Sequence, residues 1–300
     1  MMFRMVPNFI EMSKLQIRSL RPVDLTDMYI TFLDSFSDYK VPFRLTKEQF
    51  VRKFVEKLKI DFSLSAGAYE DNSLVGFVFT AVNYYEGKLT AYNGGTGVRP
   101  SSRGKKLTIK MYDFLIPMFQ ERKIKQCVLE VLTENDRAIK AYRSIGFRET
   151  KYFRCFKFDS KHLKVKPPKV NLEIFGVKHP SWDVYERFAN QAPSFLDSSL
   201  MINDNLASET IVEAYSEGKC VGYAIYQSAF GRISQIGVAP EVRGKGVGSS
   251  LVKYIQETSN QKILTVINIQ REATNTINFF QSLGFKNQLN QYEMIMPLES

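Results

Sequence analysis

Glycines and basic residues are concentrated in one short segment, residues 238–250, which reads VAPEVRGKGVGSS. The segment follows an apolar, strand-like stretch and opens an amphipathic, helix-like one, so it marks a strand-to-helix turn. Glycines at such a turn let the backbone approach a ligand closely, because no Cβ blocks the way. The first N–H groups of a helix carry partial positive charge, to which Arg243 and Lys245 add full charges. These features together predict a site for a phosphate or pyrophosphate.

The two best-known nucleotide-binding turns fit this segment less well. A phosphate-binding P-loop requires G-x-x-x-x-G-K-[ST], which the segment lacks. Arg243 also stands where the dinucleotide fingerprint G-x-G-x-x-G has its first glycine. A plain strand-to-helix connection would use the glycines for the turn alone, and it leaves the flanking arginine without a reason. An anion site of another type is therefore the preferred interpretation.

At every defined position the segment resembles V-x-x-x-x-R-x-x-G-x-G, the acyl-CoA pyrophosphate loop of the GNAT N-acetyltransferase superfamily. The resemblance implies acetyl-CoA as the cosubstrate and transfer of its acyl group as the reaction. The residues that it places at the cofactor are Ile236, Gly237, Val238, Arg243, Gly244, Lys245, Gly246, Val247, Gly248, Ser249, Asn275 and Phe280.

The chain contains a second, less complete copy of the same features. Residues 98–105 read VRPSSRGK and repeat the frame of residues 238–245 at an offset of 140 positions. Residues 142–147 (YRSIGF) match residues 280–285 (FQSLGF) at an offset of 138 positions. Two matches at nearly the same offset predict two homologous domains. The predicted boundaries are 1–160 for the N-terminal domain, 161–170 for a basic linker with two prolines, and 171–300 for the C-terminal domain.

Periodicity and turn residues predict the same order of elements in both halves, β-α-α-β-β-β-α-β-α-β. Thr46 is a predicted helix N-cap, and residues 181–200 are predicted to be helical. The order is that of GNAT domains, so the resemblance covers nearly the whole chain. It implies an α/β fold in which each domain is a mixed, mainly antiparallel sheet flanked by helices.

Composition limits the function classes. The 300 residues are 44% hydrophobic, and two histidines with three widely spaced cysteines predict neither a metal site nor a disulfide framework. No apolar run reaches the roughly 20 residues of a membrane span, and the start does not resemble a signal peptide, so we expect a cytoplasmic protein without membrane contact. The formal charge of +10 suits CoA or an acidic substrate, or serves solubility. Without a nucleic-acid-binding motif we expect no nucleic acid partner, and the oligomeric state is left open.

Acetyl transfer to an amine requires a polarised thioester carbonyl and an amine that has lost a proton, and a proton donor helps the thiolate to leave. In GNAT families this donor is commonly a tyrosine in the pattern N-x-x-A-x-x-x-Y-x-x-x-G-F. The first copy has the whole pattern, with Tyr142 at the tyrosine position; a core-facing role on an amphipathic helix is the alternative for this residue. The loop of the first copy departs from the family, because Lys106 and Thr108 replace Gly246 and Gly248.

The second copy combines a complete loop with an incomplete helix pattern. In place of Asn135, Ala138 and Tyr142 it carries Ala273, Thr276 and Phe280. Because phenylalanine has no proton to donate, water or a hydroxyl such as that of Ser282 would protonate the thiolate. The sequence does not reveal the general base. The candidates are Glu130, Glu134 and Glu213, and for each of them the preferred interpretation is an ordinary surface or edge carboxylate.

Two functions from different classes follow. The first is an acyltransferase that moves an acetyl group from acetyl-CoA to an amine of a small molecule, amino acid or peptide, with CoA bound mainly in the C-terminal domain. The alternative is a non-catalytic CoA-binding or structural protein, because the complete loop and the tyrosine lie in different copies. Catalysis by the first copy through Tyr142 is a third possibility.

Overall fold

The structure is a computed structural model that describes residues 14–38, 45–159, 163, 165, 167–259 and 261–298. Residues 161, 162, 164 and 166 of the predicted linker lie outside the described residues. The described chain divides into two compact units. The first unit contains the described residues of Met1–Val82, Asn93–Ile124 and Leu298–Ser300, and the second contains those of Asn83–Tyr92 and Lys125–Pro297.

Each sequence copy has six strands and four helices in the described residues. The first copy contains strands β1 Leu15–Ser19, β2 Ala66–Glu70, β3 Ser73–Tyr85, β4 Lys88–Val98, β5 Gln126–Leu132 and β6 Arg148–Asp159. Its helices are α1 Leu25–Ser35, α2 Lys47–Val51, α3 Leu107–Glu121 and α4 Asp136–Ile145. The second copy contains strands β7 Glu173–Val177, β8 Thr210–Ser216, β9 Lys219–Gln227, β10 Arg232–Val238, β11 Ile263–Gln270 and β12 Lys286–Pro297. Its helices are α5 Trp182–Phe188, α6 Ser199–Asn203, α7 Val247–Thr258 and α8 Thr274–Ser282.

In the first unit, β1 and β3 both pair antiparallel with β2. Aromatic side chains of α1, α2, β3 and the π-helical turn after α2 build its core, and they are Phe32, Phe50, Phe54, Phe77 and Phe79. The prediction of a cap at Thr46 is confirmed: its Oγ1 accepts the Gln49 N–H at 3.2 Å, and the Gln49 side chain accepts the Thr46 N–H at 2.9 Å. This reciprocal capping satisfies two backbone donors at the start of α2.

In the second unit the strand order is β5-β12-β6-β11-β10-β9-β8-β7, and the neighbours are antiparallel apart from the parallel pair β10 and β11. The final strands of the two copies are exchanged. β12, from the second copy, lies between β5 and β6 of the first copy, and β6 pairs with β11 of the second copy. Residues 125–159 therefore share a compact unit with the second copy, while the domain boundaries 1–160 and 171–300 stay a prediction from the repeat.

The segment after α5 differs from the sequence prediction. Residues 181–200 are predicted to be helical, but the helix ends at Phe188, and only a 3-10 turn at Phe195–Asp197 precedes α6. Pro193 disfavours a helix through the middle of this segment, because proline has no backbone N–H and disfavours the helical conformation of the residue before it. The prediction of continuous helix is wrong for residues 189–198, and this extended segment becomes one wall of the candidate site.

Among the described residues, none of the helices combines the length and the apolar character that crossing a bilayer requires. The fold class is the expected one: an α/β protein with a mixed, largely antiparallel sheet flanked by helices.

Candidate functional site

The glycine-rich turn joins β10 to α7 through two left-handed residues. Gly244 and Gly246 have φ angles of +75° and +95°, a region that favours glycine. The first helical hydrogen bond runs from the Ser250 N–H to the Gly246 C=O at 3.0 Å. The N–H groups of Val247, Gly248 and Ser249 precede this bond and form the positive end of the helix. The turn therefore has the geometry of the anion site that the sequence predicts.

Arg243 fixes the shape of this turn. Its Nε donates to the Val238 C=O at 3.0 Å and its Nη2 to the Phe188 C=O at 3.2 Å. The guanidinium thus ties the loop to the end of β10 and to α5. Arg243 is predicted to contact a phosphate, but two of its donors bond the loop itself, while its positive charge remains beside the turn.

Two glycines of the loop also meet close neighbours. A Cβ on Gly246 would lie 2.8 Å from the Pro168 Cα, and one on Gly248 would lie 3.1 Å from the ring of Phe279. The Lys169 N–H donates to the Lys245 C=O at 2.8 Å, so the described end of the predicted linker packs on the loop. Side chains at positions 246 and 248 would therefore displace backbone or an aromatic ring.

Strands β10 and β11 separate beside this loop. Their parallel register has two pairs in the described residues, Arg232 with Thr265 and Ile233 with Val266. A bulge on β10 lies between Ile233 and Gln235. The gap between the strands widens from there toward the glycine-rich loop.

The N–H of Ile236 points into this gap. The Ala239 N–H donates to the Val221 C=O at 2.9 Å, so these residues form a hydrogen-bonded pair of the antiparallel ladder with β9. Because bonded and non-bonded pairs alternate, Gly237 bonds to β9 and the polar backbone groups of Ile236 point the other way. A donor fixed in a strand is suited to polarising a carbonyl in the gap.

A cavity of about 70 Å³ lies at the base of the gap. Its walls are the segment after α5, the middle of β10, the end of β11 and Thr276 on α8. Asn268, on β11, is buried in the left-handed region at a φ of +59°. The Oδ1 of Asn268 and the Oγ1 of Thr276 are buried and accept or donate no hydrogen bond in the described chain. Buried polar atoms are usually paired, so these two atoms in the cavity wall are available to water or to a bound ligand.

Both halves of the sequence match one family. Residues 26–147 match the acetyltransferase (GNAT) family and residues 207–287 match the acetyltransferase (GNAT) domain; together the two matches cover more than half of the chain. The chain belongs to the GNAT superfamily. It carries two GNAT domains in tandem, as the resemblance of the two loops implies.

Solved structures share this fold. A GCN5-related N-acetyltransferase from Sphaerobacter thermophilus has a TM-score of 0.71 at 14% identity, with 95% of this chain and 96% of that chain covered. A tandem GNAT protein from the clavulanic acid biosynthesis pathway has a TM-score of 0.69 at 13% identity, with coverages of 96% and 99%. A putative acetyltransferase from Pyrococcus horikoshii has a TM-score of 0.67 at 16% identity, with coverages of 99% and 94%. No curated protein sequence matches the chain significantly.

The helix that carries the GNAT tyrosine pattern is α4 in the first copy and α8 in the second. Asn135 caps α4, since its side chain accepts the Ala138 N–H at 3.2 Å. The Tyr142 ring is buried and packs edge-to-face on Phe147, with centroids 5.6 Å apart at 64°. Phe280 is fully buried and packs in the same way on Phe285, at 5.0 Å and 63°. Asn275 is an exposed residue in the first turn of α8.

Glu213, a candidate base, is buried in β8 and accepts three hydroxyl hydrogen bonds. Its donors are Ser181 at 3.0 Å, Tyr185 at 2.6 Å and Tyr215 at 2.9 Å. Burial, followed by the bond to this carboxylate, raises the pKa of Tyr185. Tyr185 stacks on Tyr223, which lines the cavity, at a centroid distance of 3.8 Å. The carboxylate thus supports the cavity wall through two aromatic rings, and a catalytic role for it stays a prediction.

A second set of buried ionisable groups lies behind the cavity. The Tyr92 hydroxyl and the Asn268 Nδ2, the latter at 3.4 Å, donate to Glu130, and burial raises the pKa of this carboxyl to about 7. Glu293 lies directly opposite on β12 and pairs with Lys151 at 3.1 Å. Glu130 is a predicted candidate base, but its partners are not predicted, because Asn268 and Glu293 belong to the second copy and Tyr92 lies on another strand, β4.

Arg232, which is half-buried, and the buried Asp197 form an ion pair at 2.8 Å beside the same cavity. The Asn268 Nδ2 also donates to the Ser194 Oγ at 3.2 Å. Sequence reasoning missed Asp197, Asn268 and Gln191 as site residues. A helix prediction covers two of these positions, and the positive φ of Asn268 has only the weak indicator that asparagine tolerates this region.

Proposed function

We propose that this protein is an acetyl-CoA-dependent N-acetyltransferase whose cosubstrate binds in the C-terminal GNAT domain, residues 171–300. The observation that carries the proposal is that one strand, β10, lines the cavity and also ends in the glycine-rich turn. One ligand could therefore place phosphates at the turn and a thioester in the gap. Acetyl-CoA supplies an activated acyl group, and an amine of a small molecule, amino acid or peptide receives it.

The turn holds the pyrophosphate in this proposal. The N–H groups of Val247, Gly248 and Ser249 donate to its oxygens, and the dipole of α7 favours the negative charge. Lys245 is exposed beside the turn and adds attraction. Arg243 keeps the loop in the binding conformation through its two carbonyl contacts.

The Ile236 N–H polarises the thioester carbonyl. It stabilises the negative charge that develops on this oxygen when the amine attacks, and a donor held in a strand needs no reorganisation. Removing one donor of this kind typically costs about 10²–10³ in rate. Gly237 and Val238 continue the same strand toward the turn and line the path between the two ends of the cosubstrate.

Thr276 takes over the contact to the sulfur that a tyrosine makes in the family pattern. Phe280 has no donor, and the Ser282 hydroxyl is already bound to the Phe279 C=O at 2.7 Å. The Thr276 hydroxyl lines the cavity and has no partner in the described chain. It donates a hydrogen bond to the departing thiolate, and water supplies the proton.

The charges beside the cavity suit a cationic acceptor. Asp197 lines the cavity, and its carboxylate and that of Glu209 interact with the largely buried guanidinium of Arg232. Two carboxylates beside one guanidinium leave a negative balance, which favours an ammonium group over a neutral or anionic acceptor.

Calorimetry with acetyl-CoA tests the proposal. We expect saturable binding with one site per chain, and an absence of saturable binding contradicts it. The non-catalytic alternative is supported by the position of the loop and the tyrosine in different copies. Release of CoA thiol in the presence of a panel of primary amines then distinguishes an enzyme from such a protein. Binding without turnover across the panel favours the CoA-binding protein.

A further inference from the structure

The inner edge of β11 carries the side-chain amide of Gln191. Its Nε2 donates to the Asn268 C=O at 3.1 Å, and its Oε1 accepts the Gln270 N–H at 2.9 Å. These two backbone groups face the gap where β11 has separated from β10. A carbonyl and an N–H two residues apart are the pair that a neighbouring strand bonds in a sheet. The amide of Gln191 thus takes the place of a strand's amide at this edge.

Further bonds hold the segment that carries Gln191 across the gap. The Gln270 Nε2 donates to the Ala192 C=O at 3.1 Å, and the Gln235 Nε2 donates to the Asp197 C=O at 2.5 Å. The first bond comes from β11 and the second from β10. Residues 189–197 are therefore fastened to both separated strands.

The space left between the strands is smaller than a ligand needs. The cavity measures about 70 Å³, whereas pockets for small molecules measure roughly 300–1,000 Å³. Each water occupies about 30 Å³ in the liquid, so the cavity suits two waters or one acetyl group. A thioester together with an amide-bearing chain requires that residues 189–197 move.

We propose that Gln191 is an internal competitor for the amide of an incoming ligand, because its side chain occupies the two backbone groups on the inner edge of β11 that such an amide would bond. The ligand's amide N–H bonds the Asn268 C=O, its C=O accepts the Gln270 N–H, and Gln191 is released. The exchange replaces two hydrogen bonds with two others, so their number does not change. The free energy of the exchange depends instead on the cost of moving the segment that carries Gln191. The inference rests on the proposed function, because both a pantetheine arm and a peptide-like acceptor carry such amides.

The experiment compares Gln191→Ala with the wild-type protein by calorimetry. The probes are acetyl-CoA, which has two amides in its arm, and adenosine 3′,5′-bisphosphate, which has none. When a site is mostly self-occupied, the apparent dissociation constant is the intrinsic one divided by the small fraction of protein in which the site is open. We expect Gln191→Ala to bind acetyl-CoA at least about fivefold more tightly, because two competing hydrogen bonds of ordinary strength are lost, and to bind the bisphosphate unchanged. Gln281→Ala, at an exposed position on α8, is the matched control and should leave both affinities unchanged.

A second arm distinguishes the source of the amide. At saturating acetyl-CoA, glycinamide and ethylamine are titrated into both proteins. If Gln191→Ala binds glycinamide more tightly than the wild-type protein does, while the affinities for acetyl-CoA and ethylamine are unchanged, the result supports the site and assigns it to the acceptor. Equal or weaker binding of acetyl-CoA and glycinamide by Gln191→Ala overturns the inference but not the proposed function. No saturable acetyl-CoA binding by any of the proteins overturns the proposed function itself.

Discussion

The loop at residues 238–250 and its counterpart in the first copy have the same shape, but their basic side chains have different partners. Arg103 donates to the Val98 C=O at 3.3 Å and to the Ser35 C=O at 2.9 Å. These contacts match those of Arg243 with the end of β10 and with α5. The arginine therefore maintains the loop in both copies, whether or not the loop keeps its glycines.

The difference lies in what neutralises the basic residues. In the first copy Arg103 also pairs with Asp38, and Lys105 pairs with Glu70 at 2.7 Å. In the second copy, no ion pair to Arg243 or Lys245 is found among the described residues. Lys106 holds the left-handed cap at a φ of +56°, where the second copy has Gly246. The two loops thus share a backbone shape but differ in charge, because Asp38 and Glu70 neutralise the basic side chains of the first copy.

The largest expected effect is on Gly246. We expect Gly246→Glu to weaken acetyl-CoA binding by more than about 100-fold, because a left-handed non-glycine residue costs roughly 1–2 kcal/mol and a carboxylate repels the phosphates. The new Cβ also meets Pro168 at 2.8 Å. Calorimetry measures the loss, and thermal unfolding checks that the variant is folded. Lys106→Glu is the matched change at the equivalent cap, and we expect it to alter binding less than twofold. A comparable loss from Lys106→Glu would place the cosubstrate in the first copy.

The half-buried carboxyl of Glu130 gives the next effect, which is on the pH dependence of stability. Its pKa of about 7 in the folded protein exceeds the value near 4.3 expected after unfolding. Between these two pKa values the folded state binds more protons than the unfolded state. The contribution of Glu130 to the free energy of unfolding therefore falls as the pH rises, by an amount on the order of 3 kcal/mol, and stops changing above about pH 7. Glu130→Gln keeps an acceptor for Tyr92 and removes the titration. We expect denaturant unfolding at pH 5 and pH 8 to show this fall in the wild type only. An equal fall in the variant would assign the slope to other groups.

Thr276 sharpens the comparison of the two helices. We expect Thr276→Val to weaken CoA binding about tenfold above the pKa of the thiol, because a hydrogen bond to a charged group contributes roughly 1.5–3 kcal/mol. Acetyl-CoA has no thiolate, so its affinity should change less than twofold. Thr274→Val, at an exposed position near the start of the same helix, is the control. Equal losses for CoA and acetyl-CoA would show that the hydroxyl serves packing and not the sulfur.

Much of this site can be predicted from the sequence because local chemistry determines it. The loop needs left-handed residues and exposed N–H groups, and the glycines at positions 244 and 246 indicate both. Thr46 likewise caps its helix with contacts three residues away. Such features depend on neighbours in the chain, which a sequence displays directly.

The rest depends on contacts between distant residues. The exchange of β6 and β12 places Glu130 opposite Glu293, 163 positions along the chain, and no periodicity encodes that pairing. The same holds for Gln191, whose partners are backbone groups of β11. Pro193 is a visible helix breaker, yet the apolar residues around it favour the helix prediction that the structure corrects.

The smallest expected effect concerns Tyr142, the family's proton donor position in the first copy. Tyr142 and Phe280 pack edge-to-face on equivalent phenylalanines at nearly equal angles, so the ring is used alike in both copies. If the chemistry belongs to the second copy, Tyr142→Phe should leave acetyl-CoA binding and thiol release within twofold of the wild type. Loss of a general acid costs about 10²–10⁴-fold, well outside that range. A loss of that size, with acetyl-CoA affinity intact, would mean that the first copy supplies the acid, and the contrast between the loops would then describe a division of labour and not a lost site.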